Sequence, residues 1–318
     1  MLWLHIVQYS GFFLAQITNS VLIYLILTKA EKLFGTYRHV MCTFAMYSLI
    51  YAWIEVLTQP VMHIKGPCFI VFMDSPLKYH SWIGNMITCK YSLKLVYTEH
   101  FRPELLAKIE GFKLTYIFIP CIVCFVLWFE FVYYGMANTV EKQIYMKEEL
   151  ENYYEEDSER VAFIAPMYWS IGKNGEKIWK FGEIMGSTGC VCIIAVCFST
   201  IVICATNIYL TMKSVNCHMS ARTLELNHQL FLTLTFQTLL PFIMMYSPVG
   251  LLITLPLFEV YVGSIANFVP ASLAVYPSLE PLIAMICIKD FRKTILCSSW
   301  RKISPRVTAY ITSSSAIL

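Results

Sequence analysis

Charged side chains within apolar runs have the most chemistry to offer in this sequence, because a charge in hydrocarbon must find a partner or line a polar path. Glu55 lies in the run 40–61, and Gln59 is expected one helical turn further along the same face. Lys90 and Lys94 lie in the run 82–101, and each opposes bilayer insertion by roughly 2.5–3.5 kcal/mol. If the two runs cross in opposite directions, Glu55 and the lysines fall at similar depth. The sequence therefore predicts an intramembrane pair of Glu55 with Lys90 or Lys94. The alternative is that Lys94 extends its ammonium group to the headgroup layer.

A second constellation is Tyr276-Pro277-Ser278-Leu279-Glu280-Pro281. Each proline removes a backbone donor from the helix. The segment reads either as a hinge whose inner packing changes with the state of the bundle or as a static kink. Gln59, Tyr246 and Asn267, with Glu55, are expected in the outer or middle parts of their spans, where a small ligand sits between helices. Each also reads as an interhelical hydrogen-bonding residue. Arg222, Lys289, Arg292 and Lys293 border apolar runs, where they suit anionic headgroups or a protein partner. There is no H-E-x-x-H, no G-x-S-x-G and no pair of catalytic carboxylates within the runs. No catalytic residue, metal site or cofactor is expected. Most of the 12 cysteines lie in apolar runs, where a thiol behaves as a small hydrophobe; Cys190 and Cys192 point to different sides of a helix.

The elements that position these groups follow from composition. The chain of 318 residues is 57% hydrophobic and only 14% charged, with mean hydropathy +0.58. Soluble domains carry about 25% charged residues, so a bilayer is the expected solvent. A net charge of +3 without basic–aromatic clusters argues against nucleic acid. Spans are expected at about 4–27, 40–61, 82–101, 114–136, 181–212, 230–253 and 259–288. The run 82–101 fails on hydropathy but is required by parity. The basic loops 28–39 and 213–229 both belong inside, so an even number of spans must separate them. The acidic stretch 137–180 reads as a solvated outer loop, and the segment after the second span as a short loop with Cys68, Asp74 and Lys78. The expected fold is an all-α membrane protein: a seven-transmembrane helical bundle over residues 1–298, N-terminus outside and C-terminus inside, with a cytoplasmic tail at 299–318. A channel or secondary transporter would show polar rings or two matching halves with broken helices, and neither is evident.

This chain resembles the nematode serpentine chemoreceptors of the Str class (class r), which are G-protein-coupled receptors. The resemblance covers nearly the whole chain. It rests on Tyr276-Pro277-Ser278-Leu279-Glu280-Pro281, where the family usually has Tyr-Pro-x-x-Asp-Pro, followed by Ile288-Lys289-Asp290-Phe291-Arg292-Lys293. Thr223-Leu224-Glu225, Gln229-Leu230, Gln237-Thr238-Leu239-Leu240-Pro241 and Arg102-Pro103-Glu104-Leu105-Leu106 add to it. It implies a small-molecule odorant or other chemical ligand, a heterotrimeric G protein as partner, and a plasma-membrane site, by analogy a sensory cilium. It also implies Arg102, Arg222, Lys289, Arg292 and Lys293 as the G-protein-facing set, and Tyr276, Pro277, Glu280 and Pro281 as the switch. One departure stands out. His100-Phe101 joins Arg102-Pro103 directly, without the family's aromatic-Tyr-Arg-Tyr motif between them. The alternative reading is a non-signalling relative that has lost coupling.

Overall fold

A computed structural model describes residues 1–30, 37–79, 115–215 and 221–301. Helix α1 (Leu2–Leu25) ends in a π turn, Ile26–Ala30, and α2 spans Tyr37–Thr58. Strands β1 (Pro60–Lys65) and β2 (Cys68–Met73) follow, then α3 (Thr115–Gly135) and α4 (Val140–Tyr154). Three short strands come next: β3 (Phe163–Ile164), β4 (Trp169–Ile171) and β5 (Lys177–Trp179). Helix α5 covers Phe181–Val215 and α6 Ala221–Pro241; a π segment, Phe242–Tyr246, joins α6 to α7 (Ser247–Thr254). After 3-10 turns at Leu255–Phe258 and Ser264–Asn267 come α8 (Phe268–Cys287) and α9 (Lys289–Arg301).

Among the described residues, five helical stretches are long and apolar enough to cross a membrane: Leu2–Thr28, Met41–Thr58, Phe181–Leu210, Leu224–Phe258 and Ser264–Cys287. Helix α3, whose 21 residues extend roughly 30 Å, makes a sixth when counted together with α4, into which the chain bends by 85°. The span expected at 82–101 lies outside the described residues. Helix α1 packs on α2 and α8, α3 packs on α5, and α6 packs on α8. The closest approach is at Gly11, where a Cβ would stand 2.4 Å from the Ala274 carbonyl oxygen, so the small residue lets the α1 and α8 backbones meet.

Two expectations about the loops do not hold. The segment after α2 is a hairpin, with every strand residue buried except Lys65 next to the turn, and not a short loop. Its two-residue turn starts at Gly66, whose φ of +51° meets the demand of such turns for a left-handed residue. Side chains alternate across the pleat. Met62, Ile64, Phe69 and Val71 therefore join Trp128, Val132, Tyr246, Leu252 and Leu273 in the bundle core. Val61, Cys68, Ile70 and Phe72 join Met146, Leu150 and Tyr154 of α4 in a second core. The hairpin is a layer with two dry faces, between the helices below and α4 above.

The acidic stretch is likewise folded, and no solvated loop. In α4, Lys142, Met146, Leu150 and Tyr154 recur every fourth residue and form one buried stripe, while Glu141, Glu148 and Glu151 face solvent. Strand β3 then adds to the hairpin, pairing Val71 with Ile164 and Phe72 with Phe163. The chain is thus mostly helical, with a mixed α/β cap at one end rather than an all-α fold. The first turns of α1 and α8 touch this cap through Leu4 and Ala271. At the far end, Phe291 of α9 is buried against Leu25, Met41 and Met285. Met1 and α9 therefore lie at opposite ends of the bundle.

Candidate functional site

Helix α8 runs unbroken through both of its inner prolines, and Tyr276, Pro277, Ser278, Glu280 and Pro281 all face the interior. A proline deprives the carbonyl four residues earlier of its helical donor. For Pro281 that carbonyl belongs to Pro277, and it accepts a hydrogen bond from Asn19 Nδ2 of α1 at 2.9 Å. Glu280 accepts a hydrogen bond from Ser48 Oγ of α2 at 2.7 Å. The proline-containing segment is thereby tied to two neighbouring helices by one amide and one hydroxyl. Asn19, Ser48, Thr233, Gln237 and Glu280 share a cavity of about 20 Å³ here. That is the size of a single water molecule, too small for an odorant.

The same rule works in the sixth span. Pro248 frees the carbonyl of Met244, and Ser272 Oγ of α8 donates to it at 2.8 Å. The π segment Phe242–Tyr246 and the middle of α8 are joined at this point, with Tyr246 and Leu273 buried beside it. Neither Asn19 nor Ser272 was singled out as functional from sequence. The signal was nevertheless present, since each intramembrane proline calls for a donor near the residue four before it.

The residues expected at the ligand site separate. Glu55 is buried on α2. Lys90 and Lys94, its expected partners, lie outside the described residues, as does Arg102. Gln59 lies one turn beyond Glu55, its N–H donating to the Glu55 carbonyl at 2.9 Å. It ends α2 at φ 43°, its carbonyl accepts the Asp74 N–H at 3.0 Å, and its Nε2 donates to Tyr9 Oη at 2.7 Å. Asn267 stands at the start of α8 with both ends of its amide engaged. Oδ1 accepts the Met62 N–H at 2.9 Å and Nδ2 donates to Tyr154 Oη at 3.2 Å. At the opposite end, Lys289 pairs with Glu225 at 2.8 Å, and its N–H donates to Gln229 Oε1 at 3.0 Å, joining α9 to α6. Arg292 and Lys293 are exposed on α9, and Arg222 belongs to the first turn of α6.

The cap holds a polar network absent from the sequence expectations. His63 on β1 is fully buried, with Nδ1 2.9 Å from Tyr154 Oη and Nε2 3.0 Å from Glu149 Oε2. One proton arrangement satisfies every contact: Nε2–H donates to Glu149, Tyr154 O–H donates to Nδ1, and Tyr154 accepts from Asn267. That arrangement needs a neutral imidazole. Burial depresses the His63 pKa, although Glu149 pulls it up and Lys65 adds to the depression. Burial also pushes the Tyr154 phenol up to about 12. Lys142, equally enclosed, pairs with Glu183 at 3.0 Å and donates to the Ala137 carbonyl at 2.8 Å; burial lowers its pKa against the opposing pull of Glu183.

Comparison with known proteins fits this geometry. The family model described as serpentine type 7TM GPCR chemoreceptor Str matches residues 4–296. Serpentine receptor class r-10 of Caenorhabditis briggsae is 29% identical over 316 residues, covering 92% of this chain and 90% of that protein. The Caenorhabditis elegans protein of the same name is 30% identical over 313 residues, covering 92% and 91%. The G-protein coupled receptor str-33 of C. elegans is 23% identical over 298 residues, covering 89% and 86%. Among solved structures, squid rhodopsin aligns with a TM-score of 0.47 at 16% identity, over 95% of this chain and 85% of that one.

Proposed function

This chain belongs to the serpentine seven-transmembrane chemoreceptor family Str, and from that premise we propose that it is a chemosensory receptor that binds a small molecule within the bundle and activates a heterotrimeric G protein. The observation that carries the reading is the Tyr276–Pro281 segment. It is buried, carries two prolines within an unbroken helix, and is held to α1 and α2 through side-chain hydrogen bonds at Asn19 and Ser48. A helix held by a few exchangeable bonds can have two packings of similar energy, and a ligand that prefers one of them shifts the population.

In this reading the N-terminus and the cap face outside, while α9 with Lys289, Arg292 and Lys293 faces the cytoplasm together with Arg102 and Arg222. The basic loops support that direction. The ligand sits near Glu55 and Tyr246, with Gln59 and Asn267 holding the rim above. Glu55 pairs with Lys90 or Lys94, which a charge exchange tests: Glu55→Lys should abolish surface expression and Lys90→Glu or Lys94→Glu should restore it. The multi-pass chain is placed in the plasma membrane of a sensory cell, by analogy in its cilium.

The test of coupling uses tagged receptor in cultured cells. Antibody access should find the N-terminal tag outside and the C-terminal tag inside. Basal and odorant-evoked G-protein activation are then compared between this chain and a version with Phe-Tyr-Arg-Tyr inserted after Phe101. Signalling by the chain itself sustains the proposal. Signalling by the insertion variant alone would establish the second reading, a non-signalling relative, which the direct junction of Phe101 and Arg102 favours.

A further inference from the structure

The β4–β5 hairpin is exposed on nearly every side although it is rich in apolar residues. Ile171 is 70% exposed, Ile178 49%, Trp179 47% and Phe181 74%. Two strands of three residues cannot hold themselves together in water without a surface to pack on. The cap offers this hairpin little, because only Trp169 is buried, with Lys177 Nζ 4.4 Å from the centre of its ring.

Two contacts fix its height. At its base, the buried Tyr168 donates its hydroxyl to the Ile253 carbonyl at 2.6 Å, inside the apolar stretch that ends at Phe258. At its far strand, Lys177 pairs with Glu259, the residue immediately after that stretch. The hairpin therefore lies along the last turns of the sixth span. It also runs directly into Phe181, the first residue of α5, whose apolar stretch is the least enclosed of the spans and so faces lipid. Phe258, 74% exposed, completes the apolar set beside it.

We infer that the β4–β5 hairpin is a lipid-surface anchor, seated in the headgroup layer between the tops of the fifth and sixth spans with Ile171, Ile178 and Trp179 entering the acyl boundary. The surface is continuous with the lipid-facing side of α5, and its residue types suit the depth. Tryptophan concentrates at membrane–water boundaries, and a lysine can keep its ammonium group in the polar layer while its stem covers apolar surface. Lys177 is paired with Glu259, and the remaining hairpin charges, Lys173 and Glu176, are of opposite sign, so the partner is a zwitterionic lipid surface recognised by depth. This inference requires only that the chain spans a bilayer and is independent of ligand and coupling.

Photo-crosslinking of the full chain in phosphatidylcholine nanodiscs tests it. Benzoylphenylalanine is placed at Ile171 or Ile178, at Val196 on the lipid-facing side of α5 as positive control, and at Glu155 on the exposed top of the cap as negative control. After irradiation, the variants at 171 and 178 should gain the mass of one phospholipid, as the Val196 variant does and the Glu155 variant does not. Lipid adducts at 196 but not at 171 or 178 would overturn the anchor while leaving the membrane fold intact. Receptor–receptor adducts at 171 and 178 would overturn it in favour of an interface between two copies. Absence of adduct at 196 would overturn the lipid-facing assignment of α5 and the anchor with it.

Discussion

Around Pro277 and Pro281, polar side chains are few and nearly all neutral. Asn19 and Ser272 each donate to a carbonyl of a neighbouring span as well as one of their own helix, and Ser48 donates to a carboxylate. In the cap the polar groups are charged or titratable, and they come in opposed pairs: Lys142 with Glu183, Lys78 with Glu156, His63 with Glu149. The contrast follows from solvent and role. Hydrogen bonds between transmembrane helices contribute little on average, so a helix held by them can shift. A buried ion pair is weak as a source of net stability but severe to break, so the cap it sits in has one arrangement. The molecule joins an ion-paired cap to a bundle segment held by neutral hydrogen bonds, and the hairpin with Asn267 is the piece common to both.

The largest expected effect tests rigidity. Lys142→Ala leaves Glu183 enclosed without its cation and should destabilise the cap by about 3–5 kcal/mol, read as a loss of melting temperature and of surface expression. The double change Lys142→Met with Glu183→Leu should recover most of that loss; a double variant as unstable as the single would show that the pair itself supplies the stability. Next is Gly11→Val, whose branched Cβ must push α1 from α8 at Ala274; overpacking of this kind costs about 1–3 kcal/mol. Stability unchanged in that variant would remove the close approach from the account.

His63 gives the pH dependence. Its folded pKa lies below its unfolded value of about 6.5, so the unfolded chain binds more protons across that interval. Its contribution is present above about 6.5 and declines as pH falls toward the folded pKa, by at most about 1.4 kcal/mol per pH unit. Melting temperature should fall on acidification from pH 7 to 5, and His63→Gln should flatten that slope; an equal slope in both would assign the acid sensitivity elsewhere. Asn19→Ala should lower stability by only about 1 kcal/mol yet alter basal signalling, because it frees the Pro277 carbonyl; a variant that loses stability without any change in basal activity would make the proline segment a static element. The smallest effect is at the exposed Lys289–Glu225 contact, where Glu225→Gln should leave the melting temperature unchanged, since surface pairs contribute little.

The bundle was legible because length and hydropathy report on a bilayer directly. Most helix ends lie within several residues of the expected runs, but α6 begins nine residues early, at Ala221 and not Leu230, and α8 nine residues late, at Phe268 and not Glu259. The Tyr276–Pro281 segment was legible as residues but not as a bonded site, because its partners Asn19 and Ser48 are far away in sequence. The cap was missed for two separate reasons. In α4 the glutamates dominate average hydropathy, although Lys142, Met146, Leu150 and Tyr154 carry a clear fourfold spacing. In Cys68–Met73 both faces are apolar, so the alternation that marks an ordinary half-buried strand is absent; in Pro60–Lys65 only His63 and Lys65 break the apolar run, and Gly66-Pro67 marks the turn. That α2 ends at Gln59 was not legible, because nothing in its type announces a left-handed helix end.

The hairpin also imposes an order on biogenesis. Its outer neighbour, β3, pairs Val71 with Ile164, about 90 residues further along the chain. At about 5–20 residues per second the ribosome needs several seconds to deliver that strand. Through this interval β2 stands with an unpaired, wholly apolar edge, the kind of edge that recruits other chains. Quality control should therefore be most sensitive to changes that slow delivery of α4 and β3, including those that leave the finished receptor intact.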